Sequence, residues 1–376
     1  MNLYNTTQNL QCFMLQSATS MWKYCGLGGI TLATLLLFGA CSDSNVPSGP
    51  NPPAASSPPV EKLELVGLRL SAPEFHENGR FGLGLLATDK NDSAILSTSV
   101  TVGVNFDDSQ FVASMAPTEA FEIVPKSLKP VVAAILLDNS GSMATSDPSE
   151  ERGTAAKVFW ESLLPENSQN VVGLFDFVDC GKFHTLQNFT RDNTLLNDGV
   201  GLISAIGGTP LYAATESTLN ALNTNYSDVE NERVLLVLTD GQPTCYGAEN
   251  ATVDLANSYG IPIYTVGLGP ASDLSANSNA TAVTLTQNLS LRTRGVYAAA
   301  TQADALTPIF KSIARASSRG QLIAFFNITP VPAAGTVVKG TATFTSGSQT
   351  RSVAFSFVAP VAIPVSPSSS FEESDF

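Results

Sequence analysis

Three successive patterns of apolar and polar positions divide the chain. From Val60 the apolar residues recur with a period of two: Leu63, Leu65, Leu68 and Leu70, with a slip at Val66-Gly67 that reads as a bulge; Phe81, Leu83 and Leu85, spaced by Gly82 and Gly84; then Val100, Val102, Val104 and Phe106. Such alternation predicts strands with one buried face. Phe121 to Val124 predicts a further, weaker strand, and Asp89-Lys-Asn-Asp92 supplies turn chemistry. From residue 129 the pattern changes to short continuous apolar runs: Val131 to Leu137, Val171 to Val178, Val234 to Leu238, Ile261 to Val266 and Gly295 to Ala299. Runs this short and this rich in branched side chains predict strands buried on both faces, as in a parallel sheet. His184 to Phe189 predicts a short edge strand. After residue 319 the half-buried pattern returns at 322–328, 337–345 and 352–357.

Between the continuous runs lie helical stripes. Ala155, Val158, Phe159, Ser162 and Leu163 share one face, as do Leu306, Ile309, Phe310 and Ile313. Asp147-Pro148 reads as an N-cap and first helical residue, Pro210 opens a helix with Thr209 as its cap, and Tyr259-Gly260 ends another. Strand alternating with helix over 129–318 predicts an α/β domain with a doubly wound, mostly parallel sheet. Strands with a single apolar face need a second layer. The four before this domain and the three after it therefore predict an immunoglobulin-like β-sandwich, spanning 60–128 and 319–363, into which the α/β domain is inserted.

The chemistry gathers where the buried strands end. Val131 to Leu137 runs into Asp138-x-Ser140-x-Ser142, Thr209 precedes a helix, and Asp240 closes the run that begins at Arg233. In an open α/β sheet, ligands bind in the crevice beyond the C-terminal strand ends. Taken together, these positions resemble the complete metal-ion-dependent adhesion site of a von Willebrand factor A domain, over roughly residues 129–318. The resemblance implies Mg²⁺ or Mn²⁺ held directly by Ser140, Ser142 and Thr209, with Asp138 and Asp240 acting directly or through water. The residue types suit that ion, because Mg²⁺ takes hard oxygen ligands and is usually held by few carboxylates. Three neutral hydroxyls leave its charge poorly neutralised, so an open position would draw a carboxylate from another molecule. Capping alone would account for one of these loops but not all three. An EF-hand is excluded, since its bidentate Glu would fall at Ser149.

Charge and the N-terminus change the picture further. With 33 Asp and Glu against 19 Lys and Arg, and no basic cluster, nucleic acid is not an expected partner. Ile30 to Phe38 has signal-peptide length, is too short to span a bilayer, and leads into Gly39-Ala-Cys41. Leu-Phe-Gly-Ala-Cys resembles the lipobox of bacterial lipoproteins, although Phe38 stands where Leu is usual. The resemblance implies a signal peptide over 1–41, lipidation of Cys41 and an outer-membrane anchor, with the face undetermined. Translation is expected to start at Met21, because 1–20 carry no charge and Lys23 supplies the positive segment. Residues 42–59, rich in Pro and Ser, read as an extended spacer, and 364–376 as a disordered tail. Removing 1–40 leaves Cys180 and Cys245 to be explained. An oxidising compartment permits a bridge, yet flanking strands stand roughly 9–10 Å apart, so two separate thiols are the other reading.

No enzyme is expected. His76 and His184 are the two histidines, neither accompanies a G-x-S-x-G turn, Gly267-Leu-Gly269 lacks the third Gly of a dinucleotide loop, and no P-loop occurs. The sequence thus points to a lipid-anchored envelope protein that binds an Asp- or Glu-presenting protein or matrix-like ligand through its metal. The alternative is a periplasmic scaffold or assembly factor for an envelope complex.

Overall fold

The computed structural model describes residues 57–360, apart from 166–167, 227, 246 and 273–279. The expected signal peptide, Cys41, nearly all of the spacer and the acidic tail lie outside the described residues.

In chain order the first elements are β1 (Lys62–Arg69), α1 (Ala72–Asn78), β2 (Arg80–Thr88), β3 (Thr101–Phe106), β4 (Val112–Met115), β5 (Phe121–Val124) and β6 (Val131–Asp138). After them come α2 (Met143–Ser146), α3 (Glu151–Leu163), β7 (Val171–Asp179), β8 (Lys182–Thr190), α4 (Asn193–Val200), α5 (Leu211–Asn225) and β9 (Glu232–Thr239). The chain closes with α6 (Glu249–Tyr259), β10 (Ile263–Leu268), α7 (Ala280–Leu291), β11 (Tyr297–Ala300), α8 (Leu306–Arg319), β12 (Gln321–Thr329), β13 (Val337–Ser346) and β14 (Gln349–Val358).

Strands β11, β10, β9, β6 and β7 lie side by side and parallel, with β8 antiparallel at the edge. All eight residues of β6 are buried, and successive side chains divide between two cores. Ala133, Ile135 and Leu137 pack with Phe159 and Trp160 of α3 and Phe310 of α8, whereas Val132, Ala134 and Leu136 pack with Leu211, Leu219 and Leu222 of α5. Helices on both faces explain why these strands read as unbroken apolar runs. The predicted α/β class and mostly parallel sheet are what the chain forms.

The flanking strands form two layers, but not the expected separate sandwich. The central sheet continues past β11 through β1, β2 and β12, with β4 and β5 both on β12, while β3, β13 and β14 make the second layer. Phe81, Leu83 and Phe326 of the long sheet meet Val102, Phe344 and Phe357 of the short one. Leu68 of β1 pairs with Tyr297 of β11, and the predicted slip falls between Leu65 and Gly67. The correction has a physical cause at β2. Its glycine-bearing face is not solvated, because a Cβ on Gly84 would stand 3.0 Å from Gln321 Oε1 and 3.3 Å from Val296. Leu86 and Val66 join the core beneath α8, and Ser312 of that helix donates to the Leu65 carbonyl. β1 and β2 are therefore covered on both faces and extend the central sheet.

Five elements were not expected from the pattern: α1, β4, α2, α4 and α7. Two caps also sit differently: α3 begins after Glu150 rather than Asp147, and α5 begins after Pro210 rather than Thr209. Asp147 still caps from a distance, accepting from the backbone N–H of Glu151 at 2.7 Å and of Arg152 at 3.1 Å.

Candidate metal centre

Strands β6 and β9 are neighbours with Leu137 opposite Leu238, so Asp138 and Asp240 emerge side by side at their C-terminal ends. Both are fully buried, and Ser140 nearly so, whereas Gly141 and Ser142 face solvent. Asp138 is fixed through both oxygens: Oδ1 accepts from the Ser140 N–H at 2.8 Å and Oδ2 from the Thr239 hydroxyl at 2.7 Å. The Ser142 hydroxyl donates to Asp240 Oδ1 at 2.7 Å and stands 3.1 Å from the Ser140 hydroxyl. Asp138, Ser140, Ser142 and Asp240 thus form one cluster that opens at Ser142.

Thr209 is held against the loop after Asp240 through its backbone. Its N–H donates to the Thr244 hydroxyl at 2.7 Å and its carbonyl accepts from the Thr244 N–H at 3.0 Å. Just before it, the Ile206 N–H bonds the Asn139 carbonyl at 2.8 Å, and the Gly207 carbonyl accepts from Gly141 at 3.1 Å. Gly207 has φ +82°, and a Cβ there would lie 1.9 Å from the Val178 carbonyl oxygen. Glycine is required for the segment to cross the end of β7 so closely.

The electrostatics of the cluster are unbalanced. Neither Asp138 nor Asp240 forms a salt bridge among the described residues, and Asp240 Oδ2 is buried without a hydrogen-bond partner. Burial first, and the Asp240 charge second, push the Asp138 carboxyl up to about 6. A small hard cation beside these oxygens would supply the missing partner for Oδ2 and offset the repulsion. The donor set, two carboxylates and uncharged hydroxyls, fits such an ion. Among the described residues no group of three or more His, Cys, Asp or Glu is placed to hold a metal ion, so a cation here would depend on the hydroxyls as well as the two carboxylates.

A pH dependence follows from Asp138. Its carboxyl is raised in the fold, so between about pH 4 and 6 the folded chain binds more protons than the unfolded one, and stability falls as pH rises through that window. In EDTA, the melting-temperature advantage of Asp138→Asn over wild type is expected to grow from pH 4 to about 6 and then level off. A pH-independent difference would mean that Asp138 is ionised throughout.

Behind the cluster runs a buried polar chain that the sequence reading missed. Asn139, between two candidate ligands, turns inward: its Nδ2 donates to Asp176 Oδ2 at 2.7 Å and its Oδ1 accepts from Arg152 Nε at 3.2 Å. Arg152, fully buried, also pairs with Asp147 at 2.7 Å and donates to the Ser204 carbonyl at 2.7 Å. His184, expected to be an ordinary edge residue, ends this chain with Nδ1 2.9 Å from Asp176 Oδ1. His76 lies exposed in the last turn of α1. The signal for Arg152 was its place on the apolar stripe of α3, three and four residues before Ala155 and Ala156, where a charge needs a buried partner.

Cys180 and Cys245 are joined by a disulfide, with their Cα atoms 5.4 Å apart. Their strands do flank β6 on opposite sides. Beyond the strand ends, however, the loops lean together above Gly208, where a Cβ would meet Cys245 Sγ at 3.7 Å.

Residues 133–242 match the model of the von Willebrand factor type A domain. Over that stretch the chain is similar to a von Willebrand factor type A domain. The matched stretch runs from β6 to just past Asp240 and includes every candidate ligand. Calcium-activated chloride channel regulator 1 from Bos taurus is 27% identical over 158 residues, which are 42% of this chain. The chain spans only 17% of that relative's length. Among solved structures, the vWF domain of the type V pili tip protein Mfa5 from Porphyromonas gingivalis is 14% identical with a TM-score of 0.41, covering 50% of this chain and 94% of that one. An aerotolerance-related membrane protein from Bacteroides fragilis is 22% identical with a TM-score of 0.35, covering 49% and 98%.

Proposed function

We propose that the von Willebrand factor A domain binds a divalent cation, Mg²⁺ or Mn²⁺, at Asp138, Ser140, Ser142, Thr209 and Asp240, and through it holds a carboxylate of a protein or matrix-like ligand. The observation that carries this reading is the pair of fully buried carboxylates with only hydroxyl and amide neighbours, one oxygen of Asp240 having no partner. Burying two like charges is costly unless a counter-ion accompanies them. The bound ion would supply a Lewis-acidic position facing solvent at Ser142. The protein's part is to fix the donors: Thr239 and the Ser140 amide orient Asp138, and the 206–209 segment holds Thr209 against the two loops.

The setting we propose is the bacterial envelope, with a lipid anchor at Cys41 to the outer membrane. The Cys180–Cys245 bridge supports an exported chain, because structural disulfides belong to oxidising compartments.

Calorimetric titration of the purified chain tests the site. Wild type is expected to take up one Mn²⁺ or Mg²⁺ per chain, and Asp138→Ala with Ser140→Ala none, while circular dichroism stays the same. A wild-type titration without heat at several temperatures would overturn the proposal. Capture from native envelopes in Mg²⁺ is expected to lose its specific partner in EDTA.

A further inference from the structure

The loop that leads to Thr209 carries exposed apolar side chains, and hydrogen bonds hold it in place. In the segment before Thr209, Ile203 and Ala205 turn inward onto the core under α3, while Leu202 and Ile206 turn outward, 62% and 61% exposed. The loop is pinned at three successive points: Arg152 holds the Ser204 carbonyl, the Asn139 carbonyl holds the Ile206 N–H, and the Gly141 N–H holds the Gly207 carbonyl. Ile206 is thereby tied directly to the strand-end loop that carries Ser140 and Ser142. On the neighbouring side, Phe183 of β8 is 41% exposed and lies in register with Phe177 and so with Asp138, across the same sheet edge.

Charge around the site points the same way. The chain carries a formal net charge of −14, and Asp179, half exposed, stands beside Gly208 with its Oδ1 3.6 Å from where a Cβ would be. Lys182 is its ion-pair partner and is thereby engaged. A ligand bearing several adjacent acids would meet this field with one cation to offset it. A ligand bearing one acid beside a bulky apolar side chain would bring its carboxylate to the ion and its apolar group to Ile206 and Leu202.

We propose that the ligand of this domain is a protein segment with a single Asp or Glu flanked within two residues by Leu, Ile, Phe or Val, and that Ile206 and Leu202 select the apolar neighbour. This rests on the cation-site reading above. Because the loop is already held in place, little ordering cost attends contact, and the apolar side chains act as fixed anchors.

The test is to pan a random dodecapeptide library over the immobilised full chain in Mg²⁺ and elute with EDTA. Recovered peptides are expected to share one acid next to an apolar residue. A synthetic copy of one such peptide should bind Ile206→Ser and Leu202→Ser at least tenfold more weakly than wild type, with Mn²⁺ uptake by each protein measured in parallel and expected to persist. Runs of consecutive acids among the recovered peptides, no EDTA-eluted peptides, or undiminished binding by both variants would each overturn the apolar selection. If wild type takes up no Mn²⁺, the underlying cation reading fails instead, so the two failures are told apart.

Discussion

Arg152→Met is expected to lower the unfolding free energy by about 3–5 kcal/mol, the range for removing one partner of a buried ion pair. The guanidinium is fully buried and serves four acceptors: the Asp147 carboxylate and carbonyl, Asn139 Oδ1 and the Ser204 carbonyl. Methionine fills similar length but leaves Asp147 charged in the interior. That carboxylate would keep only its two backbone donors from Glu151 and Arg152. Urea unfolding followed by tryptophan fluorescence checks the size of the loss, since Trp160 lies on the same buried face of α3. Adding Asp147→Asn to Arg152→Met should recover a substantial part of it, because the stranded charge is the main cost. A loss under about 1 kcal/mol would show that the pair does little beyond filling space.

This buried chain also shows where reading from sequence stops. That Asp138, Ser140, Ser142 and Asp240 meet at one edge was legible because each follows an apolar run and parallel strands bring such ends together, whereas Thr209, which precedes a helix, was placed with them by the family resemblance. Asn139 and Asp176 were not legible, and the stripe of α3 marked Arg152 as buried without naming its partners. Their partners come from different elements, and no local pattern says which buried polar groups will meet. The flanking strands failed in another way: a period-two pattern tells which side chains share a face, but not which edge a strand takes. β1 could pair with any open edge, and it took that of β11 through Leu68 and Tyr297. The cysteines mark a third limit. Strand spacing is a sound rule within the sheet, but Cys180 and Cys245 lie beyond the strands, where loops close a gap the sheet cannot.

Asp240→Asn is expected to make the protein more stable without divalent cation and to abolish its stabilisation by one. In the cation-free chain Asp240 contributes a buried charge with one oxygen unpartnered and raises the Asp138 carboxyl by repulsion. Asparagine keeps the shape, and its Oδ1 can still accept from the Ser142 hydroxyl, which now bonds Asp240 at 2.7 Å. The repulsion disappears, so in EDTA near pH 7.5 the variant should melt above wild type, by an amount reflecting about 1–3 kcal/mol. The order should reverse in Mg²⁺. Wild type gains about 2.7 kcal/mol at a free concentration one hundred times its dissociation constant, while the variant, having lost a carboxylate, gains little. Melting curves of both proteins across a Mg²⁺ series are therefore expected to cross. Parallel curves would mean that Asp240 plays no part in holding the ion, and a variant below wild type in EDTA would mean that the buried pair of carboxylates is already compensated within the chain itself.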